Sequence, residues 1–129
     1  MSSPDTAEPA RTPAALLVDD DDELARIFAR ALERVGFGVH RARTGTDAVA
    51  LLSHLTNLDA AIVDLVLPGI GGIDVVRRIR AAFPACRIVA VTGLSDATVE
   101  RAFRDVGADA FLAKPVELKT LLDAVLPAR

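Results

Sequence analysis

Five short apolar runs, each closed by turn residues and each followed by an amphipathic stretch, constrain this chain more than any other feature. They are AALLV at Ala14–Val18, a weaker run over 37–42, a run over 59–64, RIVAVT at Arg87–Thr92 and a short run over 110–112. Runs of this length, bounded by turn signals, read as buried strands. Between them, apolar residues recur with helical period. Leu24, Ile27, Phe28, Ala31 and Val35 form a first stripe, stopped by Gly36. Thr44-Gly45 opens a second helix, with Ala48, Val49, Leu51, Leu52 and Leu55. Gly72 begins a third, with Ile73, Val75, Val76 and Ile79 inward and Arg77, Arg78 and Arg80 on a solvated face. Ser95-Asp96 caps a fourth, carrying Val99, Phe103 and Val106 and closed by Gly107; the last helix spans 116–126. Strict alternation predicts an α/β fold: a five-stranded parallel sheet flanked by five helices, with right-handed crossovers and strand order 2-1-3-4-5.

That order places a crevice at the carboxyl ends of strands one and three. Asp19 and Asp20 follow strand one, Asp64 ends strand three, Thr92 ends strand four and Lys114 follows strand five. All five polar groups converge there. Acids in the run Asp19 to Glu23 have a bland explanation as helix-start residues, favoured by the dipole and by free N–H groups. It covers two or three of them, but not acids set directly against a buried strand end. A pair of like charges ~4 Å apart costs roughly 4 kcal/mol at an effective dielectric near 20. A hard cation such as Mg²⁺ relieves that repulsion through oxygen ligands. A hydroxyl and an ammonium opposite the acids suit phosphoryl oxygens, and the set supports phosphoryl transfer to a carboxylate.

Composition excludes several classes. The net charge of −3 gives no electrostatic footprint for direct nucleic-acid contact. No apolar run approaches a membrane span and the N-terminus lacks a signal-peptide profile, so the expectation is a cytoplasmic protein. The single cysteine, Cys86, excludes an internal disulfide and reads as a small residue entering strand four. His40 and His54 have no partner pattern. The pairs Gly36/Gly38 and Gly69/Gly71 lack the full dinucleotide-binding fingerprint. Residues 1–13, rich in Ser, Pro, Ala and Thr, read as a disordered leader to a single domain over 14–129.

The motifs LLVDDD, IVDLVLPGIGG, VAVTG and FLAKP, in this order over 14–126, resemble the receiver domain of two-component response regulators. The resemblance implies a single-domain, flavodoxin-like switch of the chemotaxis-regulator kind. It implies Asp64 as phosphoacceptor from a sensor histidine kinase or histidine phosphotransferase. Asp19, Asp20, Asp64 and the backbone carbonyl of Val66 would then hold Mg²⁺. Thr92 would bond the phosphoryl group and Lys114 pair with it, while Thr92 and Phe111 form the switch and the Lys114–Pro115 bond is cis. Output would pass through helix four, strand five and helix five to an unknown downstream protein, with the domain a monomer or weak dimer.

Two departures stand out. Receivers often carry an acid before the glycine of the loop after strand three, where this chain has Gly71, so a more mobile loop is expected. Val66 and Leu94, apolar at positions that influence dephosphorylation in this family, predict a long-lived phosphoform. Three other readings compete. A Mg²⁺-dependent phosphatase using Asp64 would need a second acid where Val66 stands, so enzymatic turnover of external substrates is not expected. A protein-binding pseudo-receiver would have lost an acid or the lysine. A receiver excised from a longer regulator or hybrid kinase would keep every motif.

Overall fold

The computed structural model describes residues 12–67, 70–93 and 97–126. Ten elements alternate in chain order: β1 Ala14–Val18, α1 Asp22–Arg34, β2 Gly38–Ala42, α2 Gly45–Leu52, β3 Ala60–Asp64, α3 Gly72–Ala82, β4 Arg87–Thr92, α4 Ala97–Asp105, β5 Ala110–Ala113 and α5 Leu118–Val125. All strand pairs are parallel and the sheet order is β2-β1-β3-β4-β5, as the alternation predicts.

Strand period two divides the core. Leu16, Val18, Ala61, Val63, Ile88 and Ala90 face α2, α3 and α4, packing with Val75, Val76, Ile79 and Phe103. Ala15, Leu17, Ala60, Ile62, Val89 and Val91 face the other way, against Phe28 and Leu32 of α1 and Leu121 and Val125 of α5. Because both faces are covered, β1 and β3 are buried throughout, which explains their unbroken apolar runs.

Local chemistry sets the boundaries. Asp21 caps α1, its side chain accepting from the Leu24 amide, and Thr44 caps α2 by accepting from Asp47. Gly36 (φ 104°) and Gly107 (φ 115°) take the left-handed conformation that ends α1 and α4. Several element bounds depart from expectation: β3 starts at Ala60 rather than at 59, and α2 ends at Leu52, short of Leu55. Strand two starts at Gly38, because the Phe37 amide bonds back to Leu32 of α1. Strand five runs on to Ala113, and α5 is shorter than 116–126, since Glu117 and Leu126 are extended. Most of the leader over 1–13, the Ser95-Asp96 cap, Leu94 and the last three residues of the domain lie outside the described residues.

Arg80 corrects the reading of a solvated arginine face. Arg77 and Arg78 are exposed. Arg80 instead turns inward, donating to the carbonyls of Pro84 (2.8 Å), Cys86 (2.7 Å) and Gly107 (2.6 Å) and pairing with Asp109 at 2.8 Å. It clamps the loops before β4 and β5. Cys86 sits just before β4, where a small residue entering the strand is expected, and is buried at 2% exposure.

Candidate functional site

The crevice forms where β1, β3 and β4 end. Asp19, Asp64 and Thr92 are all buried, at 3%, 6% and 0% exposure, although each is polar. Polar groups are kept in such places only with partners, and Asp64 has one for each oxygen. The Val66 amide donates to Oδ1 at 3.2 Å and Lys114 Nζ donates to Oδ2 at 2.9 Å. Lys114 also reaches Asp19 Oδ2 at 3.6 Å. Asp19 Oδ1 accepts from the Asp21 amide at 2.9 Å.

The run of acids divides by role. Asp19 is buried in the crevice, Asp20 is exposed at its mouth, Asp21 caps α1, and Asp22 pairs with Arg41 and Arg43. One oxygen each from Asp19, Asp20 and Asp64 lies within 4.8 Å of the others. Burial raises the Asp19 carboxyl above the ordinary carboxylate range; the Asp21 amide and Lys114 pull it back, and Asp64 and Asp20 push it up. Burial disfavours the Lys114 ammonium too, but its bond and attraction to Asp64, with a further pull from Asp19, hold it above the usual lysine value. An all-oxygen donor set, crowded and partly desolvated, fits a hard divalent cation.

Two close backbone approaches shape the crevice. Gly72 opens α3 against the end of β3, where a Cβ would meet the Asp64 carbonyl oxygen at 2.6 Å. Gly45, at the start of α2, leaves room for Ile70, whose carbonyl oxygen would lie 1.7 Å from a Cβ. Lys114 is set by its strand: its amide donates to the Thr92 carbonyl at 2.8 Å, and the following bond to Pro115 is cis.

Asp19, Asp20, Asp64 and Lys114 are thus brought together as predicted, with Thr92 at the adjoining strand end. Phe111 is half-buried on the same side of the sheet as Thr92, its ring tilted on Phe103 with centroids 5.9 Å apart. Val66 is 59% exposed and offers its amide to Asp64. Sequence reasoning missed Arg41, which grips the Asp19 carbonyl. Its only signal was a charged residue in step with apolar Val39 on β2, the side that faces α1.

A 2-1-3-4-5 parallel sheet with acids, a hydroxyl and a lysine converging at its switch point defines a flavodoxin-like α/β domain with its chemistry at the strand ends. The chain belongs to the response regulator receiver domain family of two-component signalling, whose sequence profile matches residues 15–126. It is 40% identical over 106 residues to a cyclic di-GMP phosphodiesterase of Thermotoga maritima, covering 82% of this chain and 28% of that protein. It is 34% identical over 111 residues to the photosynthetic apparatus regulatory protein RegA of Cereibacter sphaeroides, covering 86% of this chain and 60% of that one. It therefore spans less than two thirds of these curated relatives. Among solved structures, it is similar to a response regulator protein from Burkholderia pseudomallei, crystallised with a phosphorylated aspartic acid, a calcium ion and citrate. That match has a TM-score of 0.82 and 29% identity, over 88% of this chain and 66% of the other. No helix among the described residues is long and apolar enough to cross a membrane.

Proposed function

We propose that this chain is a phosphorylation-dependent switch with Asp64 as its acceptor. The observation that carries the reading is a buried carboxylate at a strand end, held by the Val66 amide and Lys114 and crowded by two further acids. The phosphodonor is a phosphohistidine of a sensor histidine kinase or histidine phosphotransferase. An Asp64 oxygen attacks phosphorus, the P–N bond breaks, and its electron pair leaves on the imidazole, which takes a proton. The product is an acyl phosphate.

Each neighbour has a task. The Val66 amide and Lys114 fix the carboxylate, and the Lys114 ammonium then pairs with a phosphoryl oxygen. Thr92 offers a hydroxyl from the end of β4. Asp19, Asp20, Asp64 and the carbonyl of Val66 would hold Mg²⁺, which would supply charge neutralisation for the carboxylates and the phosphoryl oxygens. Movement of Thr92 toward the phosphoryl group frees space beside β4 for Phe111, biasing the surface of α4, β5 and α5 toward an output protein. The phosphoryl group shifts that equilibrium only by its differential affinity for the two states. The protein works in the cytoplasm, without direct nucleic-acid contact, as a monomer or weak dimer. It turns over no external substrate beyond its own phosphorylation and dephosphorylation. A receiver cut from a longer regulator or hybrid kinase would carry the same site; the share of relatives covered, 28% and 60%, keeps that reading beside the first.

The test is intact mass after incubation with a small phosphodonor and Mg²⁺. One phosphoryl adduct, absent in Asp64→Asn and without metal, is the expected result. No adduct on the wild type, or an equal adduct on Asp64→Asn, overturns the assignment.

A further inference from the structure

The geometry points to Arg41 as a positioning residue for the acidic pocket: its guanidinium fixes the peptide that joins Asp19 to Asp20. This rests on reading that pocket as the Mg²⁺ site. The ladder between β1 and β2 ends at the pair Val18 and Ala42, with one last bond from the Asp19 amide to the Ala42 carbonyl at 3.1 Å. There the arginine side chain takes over from the backbone. Arg41 Nε and Nη2 donate to the Asp19 carbonyl at 3.1 and 2.6 Å, and Nη1 pairs with Asp22 Oδ1 at 2.9 Å. Asp22 opens α1 and is held by Arg43 as well.

One planar fork therefore ties both ends of the short segment that carries Asp19 and Asp20. The carbonyl it grips belongs to the peptide linking these two acids. Fixing that plane restricts ψ of Asp19 and φ of Asp20, hence the directions in which both carboxylates leave the backbone. Arg41 is well placed for this, since its side chain is only 28% exposed, beneath the start of α1. Lysine carries the same charge but a single nitrogen on a flexible stem, and cannot make these three contacts together.

A cation beside an acidic pocket also acts through its charge, and the two roles have opposite signs. Charge alone repels a divalent ion, so removing Arg41 would tighten its binding. Positioning pre-orients the ligands, so removing Arg41 would loosen it. Support of this kind around metal ligands is worth roughly 10- to 100-fold in affinity; for a partly exposed fork we expect the lower end, about tenfold.

The experiment titrates Mg²⁺ into the full chain by isothermal titration calorimetry, for wild type, Arg41→Lys, Arg41→Gln and Arg78→Gln. Hydrogen exchange over 19–22 without metal is read in parallel. Both Arg41 variants are expected to bind about tenfold more weakly and to exchange faster over 19–22. Arg78→Gln, the same charge change on the exposed face of α3, should match wild type. Should Arg41→Gln fail to fold, the lysine variant decides. Wild-type affinity in Arg41→Lys, or tighter binding in Arg41→Gln, overturns the positioning role and leaves the site intact. Absence of Mg²⁺ binding by the wild type overturns both the metal site and this role.

Discussion

Replacing Asp19 by Asn should make the metal-free protein more stable, and the structure sets the size of the gain. At an effective dielectric near 20, repulsion from Asp64 within 4.8 Å is worth about 3.5 kcal/mol. Attraction to Lys114 at 3.6 Å is worth about 4.5 kcal/mol. Asp20, exposed to solvent, adds only about 1 kcal/mol of repulsion. These pair terms nearly cancel, so the desolvation of a carboxylate 3% exposed decides the sign. An amide removes that charge and keeps an oxygen to accept from Asp21. A gain of about 1–2 kcal/mol follows. The pH dependence has a defined direction. Because folding raises the Asp19 pKa, its protonation favours the folded state, and wild-type stability is lost as pH rises through a window above the ordinary carboxylate range. The amide variant lacks this loss, so the two proteins converge in acid and separate toward neutral pH. Mg²⁺ at about 100 times its Kd should add about 2.7 kcal/mol to wild type and far less to the variant, reversing their order. Urea unfolding followed by far-UV circular dichroism measures this, as the chain has no Trp or Tyr. A metal-free Asp19→Asn protein less stable than wild type at pH 7 would refute the reasoning.

Four further outcomes are expected. Gly45→Ala should cost about 2–3 kcal/mol despite alanine's better helix propensity, because its Cβ would collide with the Ile70 carbonyl; an unchanged urea midpoint would contradict that contact. Gly71→Asp should stabilise by about 0.5–1 kcal/mol: the residue is extended (φ −71°, ψ 163°), has open space around it and starts α3 without a side-chain cap, and thermal melts would show no gain if this were wrong. Val66→Asn should shorten the phosphoform lifetime several-fold by seating a water beside Asp64, read as loss of the adduct mass with time. Cys86 should resist thiol reagents until the protein unfolds: burial pushes its thiol up to about 12 against the pull of Arg80, leaving roughly 10⁻⁴ as thiolate at pH 8, and rapid native labelling would contradict this.

What the sequence made legible follows from which interactions are periodic. The strands were readable because a sheet covered on both faces demands unbroken apolar runs, and β1, β3 and β4 obey. The convergence of Asp19, Asp20, Asp64, Thr92 and Lys114 was readable because strand order alone brings strand ends together. Side-chain contacts with backbone leave no such pattern. Arg80 lies at the edge of the buried stripe of α3, four residues after Val76, and its length lets it reach two carbonyls just beyond its own helix and a third, Gly107, in a loop far along the chain. Arg41 lies among half-buried residues of β2, and only the register Val18 with Ala42 reveals that a strand ends just where its fork can continue the ladder. Gly71 and Gly45 show the same limit from the other side. One glycine meets nothing and the other meets a carbonyl, a difference set by how α2 and the loop before α3 pack. The groups expected to carry chemistry are placed by topology, whereas those that hold them in register are placed by long side chains and by missing ones. Substitutions at Arg41 and Gly45 should therefore disturb the pocket although neither residue supplies an atom to it.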